Sequence, residues 1–300
     1  MLSAFLYFMV FYLTSAPFRA KMNAEIFDIK GELIMKTIVI TGSGRGLGYE
    51  LATRFRKADF NVVLNDINLS QLENAKSNLE QVSGAGKVYA CVGDVSSLES
   101  MQALAAYAVE TCGSIDIWVN NAGINQPMKA LWELSETEIR LVLDADLKGA
   151  VFGSKVAMEQ MMGQGHGAIY NLEGYGSNDA MMLGLNMYGT SKRAVTHFTQ
   201  ALAKESEERK TGVIVGRLSP GIMITEFTTG ALGGKEKIDL PEKTKKVYNI
   251  LGDYPDVVAD FLVAQMLKNT KNNAHIEWLT NGKAAWRFMT AAFNKRDFFA

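Results

Sequence analysis

The sequence predicts an α/β fold, a single domain built on a doubly wound, seven-stranded parallel sheet. Two observations predict it. From Lys36 onward, short β-branched runs alternate with longer amphipathic stretches, and the short runs are apolar throughout. Strands of that kind are buried on both faces, the condition of a parallel sheet covered by helices. The runs are Thr37–Ile40, Asn61–Asn65, Lys87–Val92, Ile115–Val119, Ala168–Leu172, Val213–Leu218 and His275–Leu279. Between them, Leu69, Leu72, Lys76, Leu79 and Val82 follow helical spacing, and Ser96 with Glu99 and Ser135 with Glu138 read as capping boxes opening helices. Strand and helix in strict alternation make a doubly wound domain. The sequence holds no repeat, low-complexity tract or internal linker. The stretch from Ile222 to Tyr254 lacks a firm strand, and its Gly230, Gly233 and Gly234 suit a mobile lid over the strand ends. The expected division is an extension at 1–34, the α/β domain at 35–282 with its lid at 222–254, and a tail at 283–300.

Among the 300 residues, 31 Lys and Arg face 32 Asp and Glu, a net charge of −1. That balance excludes nucleic acid as a partner, which needs a strong positive field. Cys91 and Cys112 could form one bridge at most, and both fall in segments read as buried, so reduced thiols and a reducing, cytoplasmic compartment are expected. Leu2 to Ala16 is almost unbroken apolar sequence ended by Pro17. It is short for a membrane span, which takes about 20 residues, and no basic residues precede it as in a secretory signal. A start read too early (Met35 directly precedes the first strand), a membrane anchor and a cleaved signal all remain open. The tail places Trp286, Phe288, Met289 and Phe293 among cations such as Arg287 and Arg296. Its two readings are peripheral membrane contact and packing on the same protein or a second copy.

The first strand runs into Thr41-Gly42-Ser43-Gly44-Arg45-Gly46-Leu47-Gly48, followed by a helical pattern. Glycines let backbone amides approach a pyrophosphate, and the helix N-terminus adds partial positive charge. A glycine-rich loop alone is weak evidence; one between a strand and a helix in the first βαβ unit is the required context of a dinucleotide site. Asp66 ends the next strand, 18 residues after Gly48. A carboxylate there accepts ribose hydroxyls and repels a 2′-phosphate, so NAD is the expected cofactor, while Arg45 pulls towards NADP. Asp94 and Val95, after the third strand, are placed to meet the adenine; Asp94 could equally serve a helix N-terminus.

Tyr188 and Lys192 stand four residues apart near the start of a long helical pattern, which puts phenol and ammonium on one face. A free phenol has a pKa of about 10. A lysine ammonium and an oxidised nicotinamide beside it favour the phenolate, so the pair can exchange a proton with a substrate oxygen.

In their order and spacing, Thr41-Gly-x-x-x-Gly46-x-Gly48, Asn120-Asn121-Ala122-Gly123, Tyr188-x-x-x-Lys192 and Ser219-Pro220-Gly221 resemble the short-chain dehydrogenases/reductases, over essentially Met35 to Gly282. The resemblance implies a Rossmann fold and an oxidoreductase that uses NAD or NADP on a small-molecule carbonyl or alcohol. By resemblance, Asn121, Ala122 and Gly123 line the cofactor cleft. Pro220, Gly221 and Ile222 with Thr225 meet the nicotinamide carboxamide, and Tyr188 is the acid/base assisted by Lys192. A homodimer or homotetramer is the family's usual assembly. Two positions depart from its pattern. Gly174 stands where the family carries a serine that orients the substrate carbonyl. Ser177 could return to that place through a bulged loop, or merely stabilise a turn, leaving Tyr175 or a water to polarise the carbonyl. Glu173 reads as a solvated or capping carboxylate. Asp146 stands where the family carries an asparagine whose main-chain carbonyl serves the lysine, and an ionised Asp146 would hold the ammonium charged.

The run from Gly167 to Ser177 with Tyr188-Gly-Thr-Ser-Lys192 is similar to the chlorophyll b reductases, which reduce a formyl group on the macrocycle; Asp66 departs from the NADPH preference expected there. Two alternatives stay beside an active reductase: a nucleotide-binding sensor or scaffold with impaired catalysis, and a cofactor-retaining epimerase or dehydratase.

Overall fold

A computed structural model describes residues 26–27, 33–225, 230–231, 236–237, 240–293 and 296–299. The chain divides into two units, Met1–Lys36 and Thr37–Ala300. In the first, Ile26–Phe27 pairs antiparallel with Leu33–Ile34; the apolar run Leu2–Ala16 lies outside the described residues. No helix among the described residues is long and apolar enough to cross a membrane.

The second unit holds the seven strands: β1 Thr37–Thr41, β2 Asn61–Asp66, β3 Val88–Val92, β4 Ile117–Asn120, β5 Gly167–Leu172, β6 Val213–Ser219 and β7 His275–Glu277. They form one all-parallel sheet in the order β7-β6-β5-β4-β1-β2-β3. The order reverses between β1 and β4, where an α/β sheet opens a crevice at its carboxyl end. Each observed strand lies within two residues of its expected limits.

Alternate residues feed opposite faces, as strand geometry requires. Ile38, Ile40, Val62 and Leu64 pack against α1 Gly46–Lys57, α2 Leu69–Glu80 and α8 Pro255–Lys268. Val39, Val63, Trp118 and Ile169 pack the other way, against α3 Leu98–Cys112, α5 Gly149–Gln164 and α6 Asn186–Glu208. Each such fully buried large side chain contributes roughly 1.5–3 kcal/mol. Two helix details matter for the site. The cap of α3 is Ser97, one residue beyond the expected Ser96, and Ser97 accepts the Ser100 N–H. The Ser135–Glu138 capping box does open α4 Glu136–Leu143, which continues through a π-turn at Asp144–Lys148 into α5.

The expected lid contains a short antiparallel pair, Gly230–Ala231 with Glu236–Lys237, and α7 Glu242–Leu251; Gly233 and Gly234 lie outside the described residues. The tail is held to its own chain by its cations, while Trp286, Phe288, Met289 and Phe293 stay exposed. It carries α9 Asn281–Met289, and Arg287 grips Asp253 with both guanidinium Nη atoms, at 2.7 and 3.1 Å. Arg296 adds 3.4 Å and the Trp278 indole 2.7 Å to the same carboxylate. Main-chain hydrogen bonds then join Asp253 to Ile222 and Ile224, so the tail is tied to the start of the segment expected to be a lid.

Candidate active site

The glycine-rich loop is shaped by contacts that leave no room for side chains. Gly42 has φ +62°, and a Cβ there would meet Ala122 at 2.7 Å; a Cβ on Gly48 would meet the Gly42 carbonyl at 2.4 Å. The Asn121 amide donates to the carbonyls of Thr41 and Gly42 at 2.9 Å each, and the Thr41 hydroxyl accepts the N–H groups of Asn121 and Ala122. Gly46 differs: its φ is +58°, and a Cβ would meet nothing within 4 Å. It opens α1, whose N-cap Arg45 supplies no side-chain hydrogen bond to the helix. Open space before uncapped first-turn amides fits a pyrophosphate. Leu47 is buried beneath the loop. Ser43 stands apart, because it is fully buried with its hydroxyl and N–H both engaged on β1 and β2.

The Asp66 carboxylate accepts the N–H groups of Gly44 at 3.1 Å and Asn68 at 3.0 Å, at the rim of this loop. Asp94 accepts the Ser96 N–H, and Val95 is buried against Gly149, where a Cβ would come within 2.7 Å of Val95. Pro220 is buried, Gly221 has φ +74°, and Ile222 and Thr225 follow half-buried.

At the chemical end, Tyr188 and Lys192 are both buried, and the Lys192 ammonium lies 5.6 Å from the Tyr188 ring centre. The Gln126 side chain, which sequence reading missed, accepts the Tyr188 N–H at 2.9 Å and donates to the Gly184 carbonyl at 2.6 Å. The π-turn swings Asp146 inward until it is 1% exposed. Its carboxylate stands 3.6 Å from the Lys192 ammonium and accepts the Ile124 N–H at 2.7 Å and the Ser191 hydroxyl at 3.3 Å. Burial pushes the Asp146 carboxyl above its usual range, against the pull of Lys192. Gly123 is the floor of this pair, since a Cβ there would lie 2.9 Å from the carboxylate. The Tyr188 phenol is pushed well above its ordinary value, first by burial, then by the Asp146 carboxylate and by Tyr248 of α7. Tyr248 is a second residue that the motifs did not reveal.

The two departures now have a geometry. A Cβ on Gly174 would fall 2.3 Å from the Tyr188 hydroxyl and 3.2 Å from Lys192 Cγ, so glycine is what lets the loop pass the phenol. The Ser177 hydroxyl accepts the Gly174 N–H at 3.2 Å and donates to the Lys192 carbonyl at 3.4 Å, which is the turn-stabilising arrangement. Restoring a serine at the family position is therefore expected to harm. Gly174→Ser should displace the Tyr188 hydroxyl and, if that hydroxyl is the acid/base, lower kcat by about tenfold or more, on the scale of a small misplacement of a reacting group. Steady-state rates of the two proteins check this, and an equal or higher kcat in the variant contradicts it. Glu173 is not solvated as expected from the sequence. It is 4% exposed, and Thr196 of α6, Arg217 and Ser219 of β6 and His275 of β7 converge on it.

Residues 36–234 match the short chain dehydrogenase family. The chain belongs to that family. This short-chain dehydrogenase is 33% identical over 267 residues to the chloroplastic chlorophyll(ide) b reductase NOL of Oryza sativa subsp. japonica, covering 86% of this chain and 76% of the relative. It is 33% identical over 196 residues to a diacetyl reductase of Staphylococcus epidermidis, covering 64% and 73%. Among solved structures it resembles an alcohol dehydrogenase of Thermococcus sibiricus complexed with 5-hydroxy-NADP, with TM-score 0.67, 25% identity, and coverage of 81% and 96%. The short-chain dehydrogenase is thus an NAD(P)-dependent oxidoreductase with the seven-stranded Rossmann fold expected from its motifs.

Proposed function

We propose that this enzyme reduces a carbonyl on a large, flat, mostly apolar substrate, a formyl group of a chlorophyll-like tetrapyrrole, using NADH in preference to NADPH. One observation carries the substrate reading. The segments that precede Tyr188 present apolar side chains to solvent: Trp132 is 87% exposed, Met181 92% and Leu183 94%, and Met128 and Tyr175 are partly exposed. Gln126 ties its own loop to Gly184 and to Tyr188, and exposed apolar groups on such segments can mark a binding surface, one that suits a macrocycle better than a small diketone. The similarity to a chlorophyll(ide) b reductase supports the same class. For the cofactor, Asp66 keeps lone pairs free beside the glycine loop for ribose hydroxyls, and its charge opposes a 2′-phosphate.

When bound, the nicotinamide supplies the hydride. The chain's own residues do the rest. Gly46 and the first turn of α1 would hold the pyrophosphate, with Asp66 on the adenosine ribose and Pro220 to Thr225 over the nicotinamide. Tyr188 donates the proton to the substrate oxygen, and Lys192 steadies the charge left on the phenol. Catalysis impaired to the level of a cofactor sensor is the second reading, favoured by the Asp146 carboxylate that pushes the phenol up.

The test is a turnover panel of a formyl-bearing tetrapyrrole, its formyl-free analogue and diacetyl, each with NADH and NADPH. The expected result is oxidation of NADH with the formyl compound alone. Better turnover of diacetyl overturns the substrate class, a preference for NADPH overturns the role of Asp66, and tight cofactor binding without turnover favours the sensor.

A further inference from the structure

We propose that Glu173 is a positioning residue, a buried carboxylate that ties together the three chain segments forming the chemical end of the site. Glu173 is the first residue after β5, and its neighbour Gly174 is the glycine that touches the Tyr188 hydroxyl. Its own N–H donates to the Leu218 carbonyl at 2.8 Å. One carboxylate oxygen accepts the Thr196 hydroxyl at 2.8 Å and an Arg217 Nη at 3.3 Å. The other accepts the Ser219 hydroxyl and lies 3.0 Å from His275 Nε2.

These partners are not scattered. Thr196 sits one turn beyond Lys192 on α6, with its hydroxyl 3.1 Å from the Lys192 carbonyl. Ser219 ends β6 and begins Ser219-Pro220-Gly221, the segment that leads into the lid. A single carboxylate thereby links the loop passing the phenol, the helix carrying the ammonium and the strand end that faces the cofactor. Burial pushes this carboxyl up, but the hydrogen bonds from His275, Ser219 and Thr196 outweigh it and hold the group at about 2, so it stays ionised. Ser219, His275 and Glu173 do not form a nucleophile relay, because hydroxyl and carboxylate both address the same ring nitrogen.

The inference rests on the reading of Tyr188 as proton donor, and its test separates the two. Glu173→Gln keeps the shape but removes the charge and replaces one accepting oxygen with a donating amide, which either meets the Arg217 guanidinium or makes the Ser219 hydroxyl and His275 accept where they had donated. The measurements are thermal unfolding, NADH affinity by fluorescence, kcat with the substrate of the panel, and titration of the Tyr188 phenol in the cofactor-free protein by NMR of ring-labelled tyrosine. Tyr188 is assigned from Tyr188→Phe; the groups facing the phenol are Asp146, Lys192 and Tyr248. The expected result is a folded variant whose kcat falls roughly 10²-fold, whose NADH affinity falls far less, and whose phenol titrates closer to a free tyrosine. A folded variant with kcat and phenol titration both unchanged overturns the proposal. Should Glu173→Gln fail to fold, Thr196→Val removes one tie and is read the same way, with smaller changes expected. A wild type without turnover defeats the Tyr188 reading, while the phenol titration still decides on Glu173.

Discussion

Tyr188→Phe is expected to lower carbonyl reduction by about 10²–10⁴-fold, the usual worth of a positioned acid, with cofactor affinity little changed. The substitution removes one oxygen from a buried ring and leaves the ring packed between Gly174 and Lys192. Burial, Asp146 and Tyr248 all act to keep the phenol protonated in the chain alone. A phenol so held carries its proton for the reducing direction but is a weaker acid than a free one, so Lys192 must stabilise the charge left as the proton departs. Rates and NADH affinity measured on one preparation check this. A variant that retains more than about a tenth of wild-type turnover is not missing its proton donor.

The second large effect falls on stability. Lys192→Met is expected to cost about 3–5 kcal/mol, because it leaves the Asp146 carboxylate buried without its cation. The two side chains are 4% and 0% exposed, so solvent cannot take over the role. Lys192→Met combined with Asp146→Asn should recover most of that loss while remaining inactive, and denaturant unfolding of the two variants gives the comparison. The pH dependence has a definite sign. The Asp146 carboxyl is raised in the folded chain by burial, so folded protein binds this proton more tightly than unfolded protein. Its contribution is therefore present below the unfolded carboxylate range and is lost as pH rises through the folded value. Asp146→Asn should accordingly gain on wild type as pH rises across that window. A constant difference between the two would show that the carboxyl is not raised. The same change removes a negative charge that acts on Tyr188, so the alkaline limb of the reduction profile should move to lower pH.

The fold was legible because its signals are local. Runs such as Thr37–Ile40 and Val213–Leu218 are apolar on both faces, and the loop from Thr41 to Gly48 sits between strand and helix. Tyr188 and Lys192 were legible for the same reason, since four residues on a helix fix their common face. What escaped depends on segments that meet only after folding. Nothing near Glu173 in sequence announces Arg217, Ser219 and His275, so a charged residue in a loop reads as solvated. Gly174 shows as a missing serine in the sequence, and only the loop's return past Tyr188 explains why a side chain is excluded. Gln126 and Tyr248 reach the tyrosine from 62 and 60 residues away, without a motif to mark them. The tail reads as amphipathic, and its attachment to Asp253 appears only when Arg287 and Arg296 are seen on that carboxylate.

The central claim is that the Tyr188 hydroxyl faces the reacting oxygen beside the nicotinamide. A crystal structure with NADH and an unreactive analogue of the substrate tests it most directly. The account predicts the analogue's oxygen within about 2.6–3.2 Å of the Tyr188 hydroxyl, the nicotinamide beside it and the macrocycle lying on Trp132, Met181 and Leu183. An analogue seated with its oxygen turned to another donor, and Tyr188 sealed off behind Gly174, would contradict it.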